Sequence, residues 1–181
     1  LLTFHDRLHP RAVLIGVLWP DLAEEKARRR LSDTLWRVRQ MSKDCIVAED
    51  ERIWLDKDAI CWLDVEQFVL KSEVAGSEPR LDSPAVDRLR EAIKLYQGPF
   101  LPGFYQDWAL LERERLRGLY LQNLGRLLAH YKQIAEYPAA LRMARRLVTV
   151  EPLHEAAHRE LMRLYHLLGR DGEAVAQYRR C

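Results

Sequence analysis

The chain has 181 residues, and its 29 lysines and arginines against 27 acidic residues give a net charge of +2. Hydrophobic residues at 48% and charged residues at 31% describe a globular protein and exclude a disordered tail. No apolar run approaches the roughly 20 residues of a membrane span, and no signal peptide is recognisable. Cys45, Cys61 and Cys181 form no CxxC pair, so we expect reduced thiols in a cytoplasmic protein.

Positive charge is concentrated in one segment. Residues 1–66 hold 11 basic against 13 acidic residues, and residues 67–181 hold 18 against 14. Within the acidic first part, however, residues 26–43 contain seven basic residues and a single acid, Asp33. This local field predicts a nucleic-acid partner. A solvated helix face is the alternative.

The first elements are short. Residues 1–8 read as the end of a helix, which His9-Pro10 breaks. The apolar run over residues 12–19 fits either a helix of about two turns or a buried strand. We favour the helix because residues 21–24 follow as a capping-box pattern that opens the next helix.

That next helix, over residues 22–41, is the predicted DNA-reading element. If each residue turns the helix by 100°, one predominantly apolar stripe is formed by Ala27, Leu31, Thr34, Leu35 and Val38. The opposite face carries Arg29, Asp33, Trp36 and Gln40, with Lys26 and Arg37 beside them, while Arg30, Ser32 and Arg39 flank the stripe. Arginine can form hydrogen bonds with guanine edges, and glutamine can do so with adenine edges. This solvent-facing side of the helix, the wet face, therefore suits the major groove of DNA.

A β-hairpin is predicted next, with strands over residues 45–48 and 52–55 and a turn at Glu49-Asp50-Glu51. A helix, basic helix, hairpin order is that of a winged helix. The pattern from Leu18 to Phe68 resembles the response-regulator-type winged helix, and this resemblance matches Arg37 and Arg39 to the basic pair near the end of the recognition helix. The turn is acidic, with only Arg52 to counter it, which disfavours a phosphate contact there. The strands that usually precede the first helix are missing from the prediction, so we expect a winged helix truncated at its N-terminus, part of a longer polypeptide.

The second half is predicted to be helical. A helix over residues 64–75 places Val65, Phe68 and Val69 on one face, and residues 76–83 form the best linker. Ser83 then caps a helix that begins with Pro84. Glycines and prolines between residues 98 and 103 end that helix, and Asp107 is the expected cap of the next. The long helix that follows has an apolar stripe at i, i+3/i+4 spacing: Leu116, Leu119, Tyr120, Leu124, Leu127, Leu128 and Tyr131.

From Leu124 onward the sequence repeats itself at a constant offset. Leu127 corresponds to Leu161, Tyr131 to Tyr165, and Ala140 to Ala174, each pair 34 positions apart. This offset equals the tetratricopeptide period, and Pro152 ends one repeat. We therefore predict stacked helical pairs around a shared core, with a concave groove.

The residues "LYxGxFLPGF…W…ERERLR", beginning at Leu95, and the segment from Val150 to Cys181 resemble the bacterial transcriptional activator domain of SARP-type antibiotic regulatory proteins. The resemblance covers most of residues 89–181. It implies a helical domain that follows a winged-helix DNA-binding domain.

Residues 154–158 match the H-E-x-x-H motif, in which His154 and His158 would hold zinc and Glu155 would act as base. The motif lies on the first turn of a repeat helix and lacks a third ligand at the usual spacing, so we favour the interpretation without a metal.

The other histidines, His5, His9, His130 and His166, are isolated, and we expect them at the surface or hydrogen-bonded within the protein. Trp19, Trp54 and Trp62 are expected in the core of the first domain and Trp108 in that of the second, while Arg142, Arg145 and Arg146 form a basic patch, either a solvated face or a contact for phosphate or an acidic partner.

The sequence thus predicts a mostly α protein, with a winged-helix DNA-binding domain over residues 1–66 and a tetratricopeptide-like activator domain over residues 67–181. We expect a cytoplasmic bacterial transcription regulator that is not an enzyme, needs no cofactor and binds double-stranded DNA. RNA polymerase, another protein or a second copy would contact the helical domain. The DNA-binding residues are predicted to be Lys26, Arg28, Arg29, Arg30, Ser32, Trp36, Arg37, Arg39, Gln40, Lys43 and Arg52. For Trp36, burial against the second domain is an equal alternative. The alternative is an interaction scaffold whose winged helix no longer binds DNA.

Overall fold

The computed structural model describes residues 8–41, 45–56, 62–74 and 81–180 of a mostly helical chain. It divides into two compact units, residues 1–63 and 64–181. This division lies three residues before the boundary expected from the sequence, because the helix that begins at Asp64 packs with the second unit. Among the described helices, none combines the length and apolarity needed to span a bilayer.

The first unit combines two helices with a small antiparallel sheet. Its elements are β1 (His9–Pro10), α1 (Arg11–Leu18), α2 (Glu24–Met41), β2 (Ile46–Glu49) and β3 (Arg52–Leu55). The strands lie in the order β1-β3-β2, and His9 pairs with Ile53. The expectation that no strand precedes the first helix is therefore wrong, since two residues suffice to extend the hairpin edge.

The helix predicted around residues 12–19 is confirmed by α1. It ends where the backbone N–H of Trp19 donates to the carbonyl of Ile15 at 2.9 Å, just before Pro20. The capping-box prediction is wrong in detail, because α2 begins at Glu24 and Ala23, not Asp21, directly precedes it. Glu24 and Glu25 occupy the first turn, where negative charge is stabilised by the helix dipole.

The predicted hairpin is confirmed. Ala48 pairs with Ile53 and Glu49 with Arg52, which leaves Asp50 and Glu51 as a two-residue turn. Asp50 has a φ of +51°, a left-handed conformation that aspartate tolerates better than most residues. The conformation of the acidic turn therefore depends on one left-handed residue, Asp50.

The core of the first unit is small and consists of Ile15, Ala27, Leu31, Leu35 and Ile53. Three of the five residues predicted for the α2 stripe are fully buried, and Val38 is half-buried. Thr34 was wrongly included, since it is exposed and its hydroxyl donates to the carbonyl of Arg30 at 2.8 Å. Trp62 was also wrongly expected in the core, because 66% of it is exposed.

The second unit consists of helices alone within the described ranges. They are α3 (Asp64–Val74), α4 (Ser83–Leu95), α5 (Asp107–Gln133), α6 (Tyr137–Val150), α7 (Glu155–Leu167) and α8 (Asp171–Tyr178). Most of the predicted linker lies outside the described residues.

Two predicted caps in this unit are off by one residue. The side chain of Asp82, not that of Ser83, accepts from the backbone N–H of Ala85 at 2.8 Å. Gln106 precedes α5, so Asp107 is its first helical residue. An aspartate in the first turn still stabilises a helix through the dipole.

The loop between α4 and α5 is held by one arginine. The Arg113 guanidinium donates to the carbonyls of Phe100, Leu101 and Phe104 at 2.8, 2.6 and 3.0 Å. Leu101 and Gly103 have positive φ, +43° and +88°. Because a left-handed leucine is strained, the three charge-assisted bonds stabilise a turn that the chain would otherwise avoid.

The repeat predicted from the sequence is visible in the backbone. Helices α5 and α7 end at Gln133 and Leu167, and α6 and α8 begin at Tyr137 and Asp171, each pair 34 positions apart. Both turns contain a left-handed residue at the same repeat position, Ala135 with φ +57° and Gly169 with φ +69°.

The hydrogen bonds of the two turns correspond as well. The N–H of Glu136 donates to the carbonyl of Tyr131, and that of Arg170 to the carbonyl of Tyr165, both at 2.8 Å. This six-to-one bond with a left-handed residue before it is the Schellman helix ending.

The core of the second unit runs through all of α3 to α7. The apolar stripe predicted for α5 is confirmed: Leu116, Tyr120, Leu124, Leu127 and Leu128 are buried, and Leu119 and Tyr131 pack against the same cluster. One buried polar chain joins two helices, because Asn123 of α5 donates to the Ser72 hydroxyl of α3 at 2.7 Å. Ser72 in turn donates to the carbonyl of Phe68 at 2.6 Å, so the Asn123 amide and the Ser72 hydroxyl both have partners.

Candidate nucleic-acid interface

The wet face of α2 presents five of the predicted DNA-binding side chains: Lys26, Arg29, Trp36, Arg37 and Gln40. All five are exposed, and 64% of Trp36 is accessible. Within the described ranges these side chains form no hydrogen bond or ion pair with the rest of the chain. Since the opposite face carries the core residues Ala27, Leu31 and Leu35, the helix cannot rotate without exposing its apolar stripe.

The other predicted residues of α2 are engaged within the first unit. The Arg30 guanidinium lies over the Trp19 ring, 5.6 Å from its centroid. The Ser32 hydroxyl donates to the carbonyl of Arg28 at 3.2 Å, and Arg39 donates to the carbonyl of Ile46 at 3.3 Å. The contacts of Arg30 and Arg39 attach the helix to Trp19 and to β2, whereas the Ser32 bond stays within α2.

Arg28 links the helix to the hairpin turn. It donates to Glu24 one turn earlier and to Glu51, both at 3.1 Å. The hydrogen bond with Glu24, then that with Glu51, raises the pKa of Arg28. The pair with Glu51 offsets part of the negative charge of the turn, while Arg52 is exposed at the start of β3. Lys43 lies outside the described residues.

The Arg28–Glu51 contact was missed by sequence reasoning. Its partners are 23 positions apart, and only the hairpin brings them together. The Glu24–Arg28 pair has a sequence signal, since an acid four residues before a base is a stabilising helix pattern.

The histidines of the H-E-x-x-H motif have structural partners. His154 precedes α7, and its Nδ1 accepts from the backbone N–H of Ala157 at 3.2 Å. His158 is buried, with Nε2 2.7 Å from the carbonyl of Pro152 and Nδ1 2.5 Å from Nε2 of Gln177. Both ring nitrogens of His158 are therefore occupied. Within the described part of the chain, no group of three or more candidate ligands could hold a metal ion.

The structure describes three of the four histidines outside the motif and one of the three cysteines. His9 is buried and His130 packs against Tyr131 with ring centroids 5.6 Å apart. His166 lies with Nδ1 2.7 Å from the carboxylate of Asp171. Cys45 is a half-buried thiol that forms no disulfide within the described residues, whereas His5, Cys61 and Cys181 lie outside the described residues.

Residues 63–181 match the model of a known family, the bacterial transcriptional activator domain. The match covers all of the second unit and more than half of the chain. The chain belongs to this family. No curated protein matches it.

Membership of the bacterial transcriptional activator domain family places the chain in transcription regulation in bacteria. The family is regulatory and not enzymatic. The matched region begins one residue before α3, so the α2 face lies in the part of the chain that precedes the bacterial transcriptional activator domain.

Proposed function

We propose that the chain is a DNA-binding transcriptional activator in which the first unit is a winged helix and α2 enters the major groove. One observation carries this proposal: a single face of α2 is exposed, holds three basic side chains, one aspartate, an aromatic and a glutamine, and is turned outward by a buried apolar stripe. An exposed helix face of this composition fits base edges and phosphates. Such a protein acts in the cytoplasm, where bacterial DNA lies.

We divide the proposed DNA contacts into two roles, base reading and phosphate binding. We assign base contacts to Arg29, Ser32, Trp36, Arg37 and Gln40. Phosphate contacts are assigned to Lys26, Arg28, Arg30, Arg39, Lys43 and Arg52. The positioning contacts of Arg28 and Arg39 leave part of each guanidinium for a phosphate, since the fork has five donors and these residues use only one or two of them.

The second unit is proposed to be a tetratricopeptide-like domain that contacts RNA polymerase, another protein or a second copy of the chain. The support is the shared spacing of the two helical pairs, with the same left-handed position in each turn. Stacked pairs of this kind form extended binding surfaces.

A gel-shift titration on duplex DNA tests the proposal. Arg37→Ala should weaken specific binding by about 1–3 kcal/mol if the guanidinium contacts a base edge. The matched control is Arg159→Ala, an exposed arginine on α7. Measured over a range of salt, the affinity of the parent chain should fall with a slope that reflects several phosphate contacts.

The scaffold alternative is favoured by the acidic hairpin turn, in which Glu49, Asp50 and Glu51 are all exposed. In that case the first unit would dock another protein. Absence of salt-dependent DNA binding would exclude DNA reading by this chain and leave the scaffold alternative. Equal affinity of Arg37→Ala and the parent chain would remove Arg37 from the base-reading residues.

A further inference from the structure

One exposed face of α6 carries three arginines and no acidic residue. Arg142, Arg145 and Arg146 occupy positions i, i+3 and i+4, which lie side by side on a helix, and all three are exposed. The helix contains no acidic residue. Within the described ranges, Arg142 and Arg146 form no hydrogen bond or ion pair. Two arginines of this face are therefore uncompensated charges.

The third arginine is held in place by a tyrosine of α7. Nε of Arg145 donates to the Tyr165 hydroxyl at 3.2 Å, and its guanidinium lies 5.4 Å from the ring centroid. Because this contact uses Nε, the two terminal nitrogens stay available for an anion. A guanidinium fixed in this way loses less entropy when it binds a carboxylate.

The same tyrosine excludes base stacking at this surface. The Arg170 guanidinium also lies over the Tyr165 ring, 5.2 Å from its centroid, and only 8% of Tyr165 is exposed. Single-stranded nucleic acids need open aromatic faces. The covered ring offers none.

The basic face is short. Arg142 and Arg146 are four residues apart, about 6 Å along the helix axis at 1.5 Å per residue. The carboxylate that faces it belongs to Glu173 of α8, whose pKa is lowered by its hydrogen bond with Arg170 and then by charge from Arg170 and Arg145. A face of this length fits a short segment, whereas a duplex binds through phosphate contacts spread over a longer surface.

We propose that Arg142, Arg145 and Arg146 form the docking surface for a short acidic segment, rich in aspartate or glutamate, of a partner protein. The inference rests on the proposed function, because it specifies which surface of the second unit contacts a partner protein. Arginine forks bind carboxylates with two parallel hydrogen bonds, and charge complementarity gives such a contact its specificity and association rate.

A labelled hexaglutamate peptide, titrated into the full chain and followed by fluorescence anisotropy, tests this surface. The double variant Arg142→Glu/Arg146→Glu should weaken peptide binding by about tenfold, because two attractive exposed pairs become repulsive. Two control variants, Lys26→Glu/Arg29→Glu on α2 and Arg159→Glu on α7, should keep the parent affinity.

Equal binding to the α6 variant and the parent, or an equal loss in the α2 variant, would overturn the proposal. Displacement of the peptide by duplex DNA from the Lys26→Glu/Arg29→Glu variant would also overturn it in favour of a nucleic-acid surface. The peptide experiment does not require α2 to bind DNA. Failure of the gel shift and failure of this experiment are thus separate results.

Discussion

The two units differ in how many apolar residues each buries in its own core. Within the described residues, the core cluster of the first unit contains five buried residues of α1, α2 and the hairpin, while that of the second unit contains twenty. Since the stability of a small domain depends on the apolar area that it buries, the first unit should be the less stable of the two. The difference teaches that the proposed DNA-reading helix is anchored by only three buried side chains, Ala27, Leu31 and Leu35.

The largest effect is expected from Leu31→Ala. Leu31 is 2% exposed, and truncation of a buried leucine costs about 2–5 kcal/mol. In a core of five residues this should unfold the first unit and abolish DNA binding. Hydrogen exchange should show lost protection in α2 while α5 stays protected.

Leu124→Ala is the matched variant in the second unit, because Leu124 is fully buried in α5. It should cost a similar free energy yet leave α5 protected from exchange. Equal loss of protection in both units, for either variant, would contradict the difference in stability.

The next effect is expected from Ser72→Ala. The substitution leaves the buried Nδ2 of Asn123 without its hydrogen bond to Ser72, at a cost of about 1–3 kcal/mol. Ser32→Ala is the control, since the exposed Ser32 also donates to the carbonyl four residues earlier. Urea unfolding should show the loss in the second unit alone, and loss in the first unit would mean that α3 belongs there.

A smaller effect of opposite sign is expected from Ala135→Gly. Ala135 has a φ of +57°, and a left-handed alanine costs about 1–2 kcal/mol. Glycine removes that strain but adds about 0.4–1 kcal/mol of unfolded-state entropy, so a net gain of about 0.5 kcal/mol is expected in the melting curve of the second unit.

Gly169→Ala should have the reverse effect, because Gly169 occupies the same repeat position with φ +69°. No atom lies within 4 Å of an added Cβ there, so the change reports backbone strain alone. Shifts of the same sign in the two variants would contradict the equivalence of the turns.

The smallest effect concerns acid stability. Partial burial raises the pKa of Glu160, but hydrogen bonds and charge from Lys132 and Arg163 outweigh it and lower the pKa overall. Lys132 of α5 lies 2.5 Å from Glu160 of α7. A lowered folded-state pKa means that the stabilisation is present above the ordinary glutamate pKa of about 4.3 and is lost as the pH falls through the folded-state value.

Glu160→Gln should therefore lower the stability of the second unit at pH 7 by up to about 1 kcal/mol and flatten its decline in acid. Glu136→Gln, an exposed acid before α6, is the control. Parallel acid denaturation curves for Glu160→Gln and the parent chain would exclude a contribution from this pair.

Much of the fold follows from local pattern. The order of helices and the hairpin, the buried stripe of α5 and the outward face of α2 were all predicted, because periodicity fixes which side of an element is apolar. Element ends were less accurate. Asp82 caps α4 in place of the predicted Ser83, since two adjacent polar residues both suit that position. Gln106 precedes α5 in place of Asp107, but its side chain forms no capping hydrogen bond.

The candidate site was predicted only in part. The exposed face of α2 follows from phase, but phase did not separate Arg37, which has no partner in the described residues, from Arg30, which lies over Trp19. Thr34 falls within the predicted stripe, yet it is exposed and its hydroxyl donates to the carbonyl of Arg30, one turn earlier in the helix. Trp62 is exposed, and large apolar residues are often found at protein surfaces.

The sequence by itself determined that one helix is basic on one side and apolar on the other, and that the second half is built from a repeated helical pair. Both properties are carried by spacing along the chain, which can be measured before any contact between elements is known. Only the tertiary structure decided which arginines are engaged: Arg28 meets Glu51 across 23 positions, and Arg145 meets Tyr165 across 20. Contacts between distant residues exist only after the core has formed, so helical spacing could not foretell them.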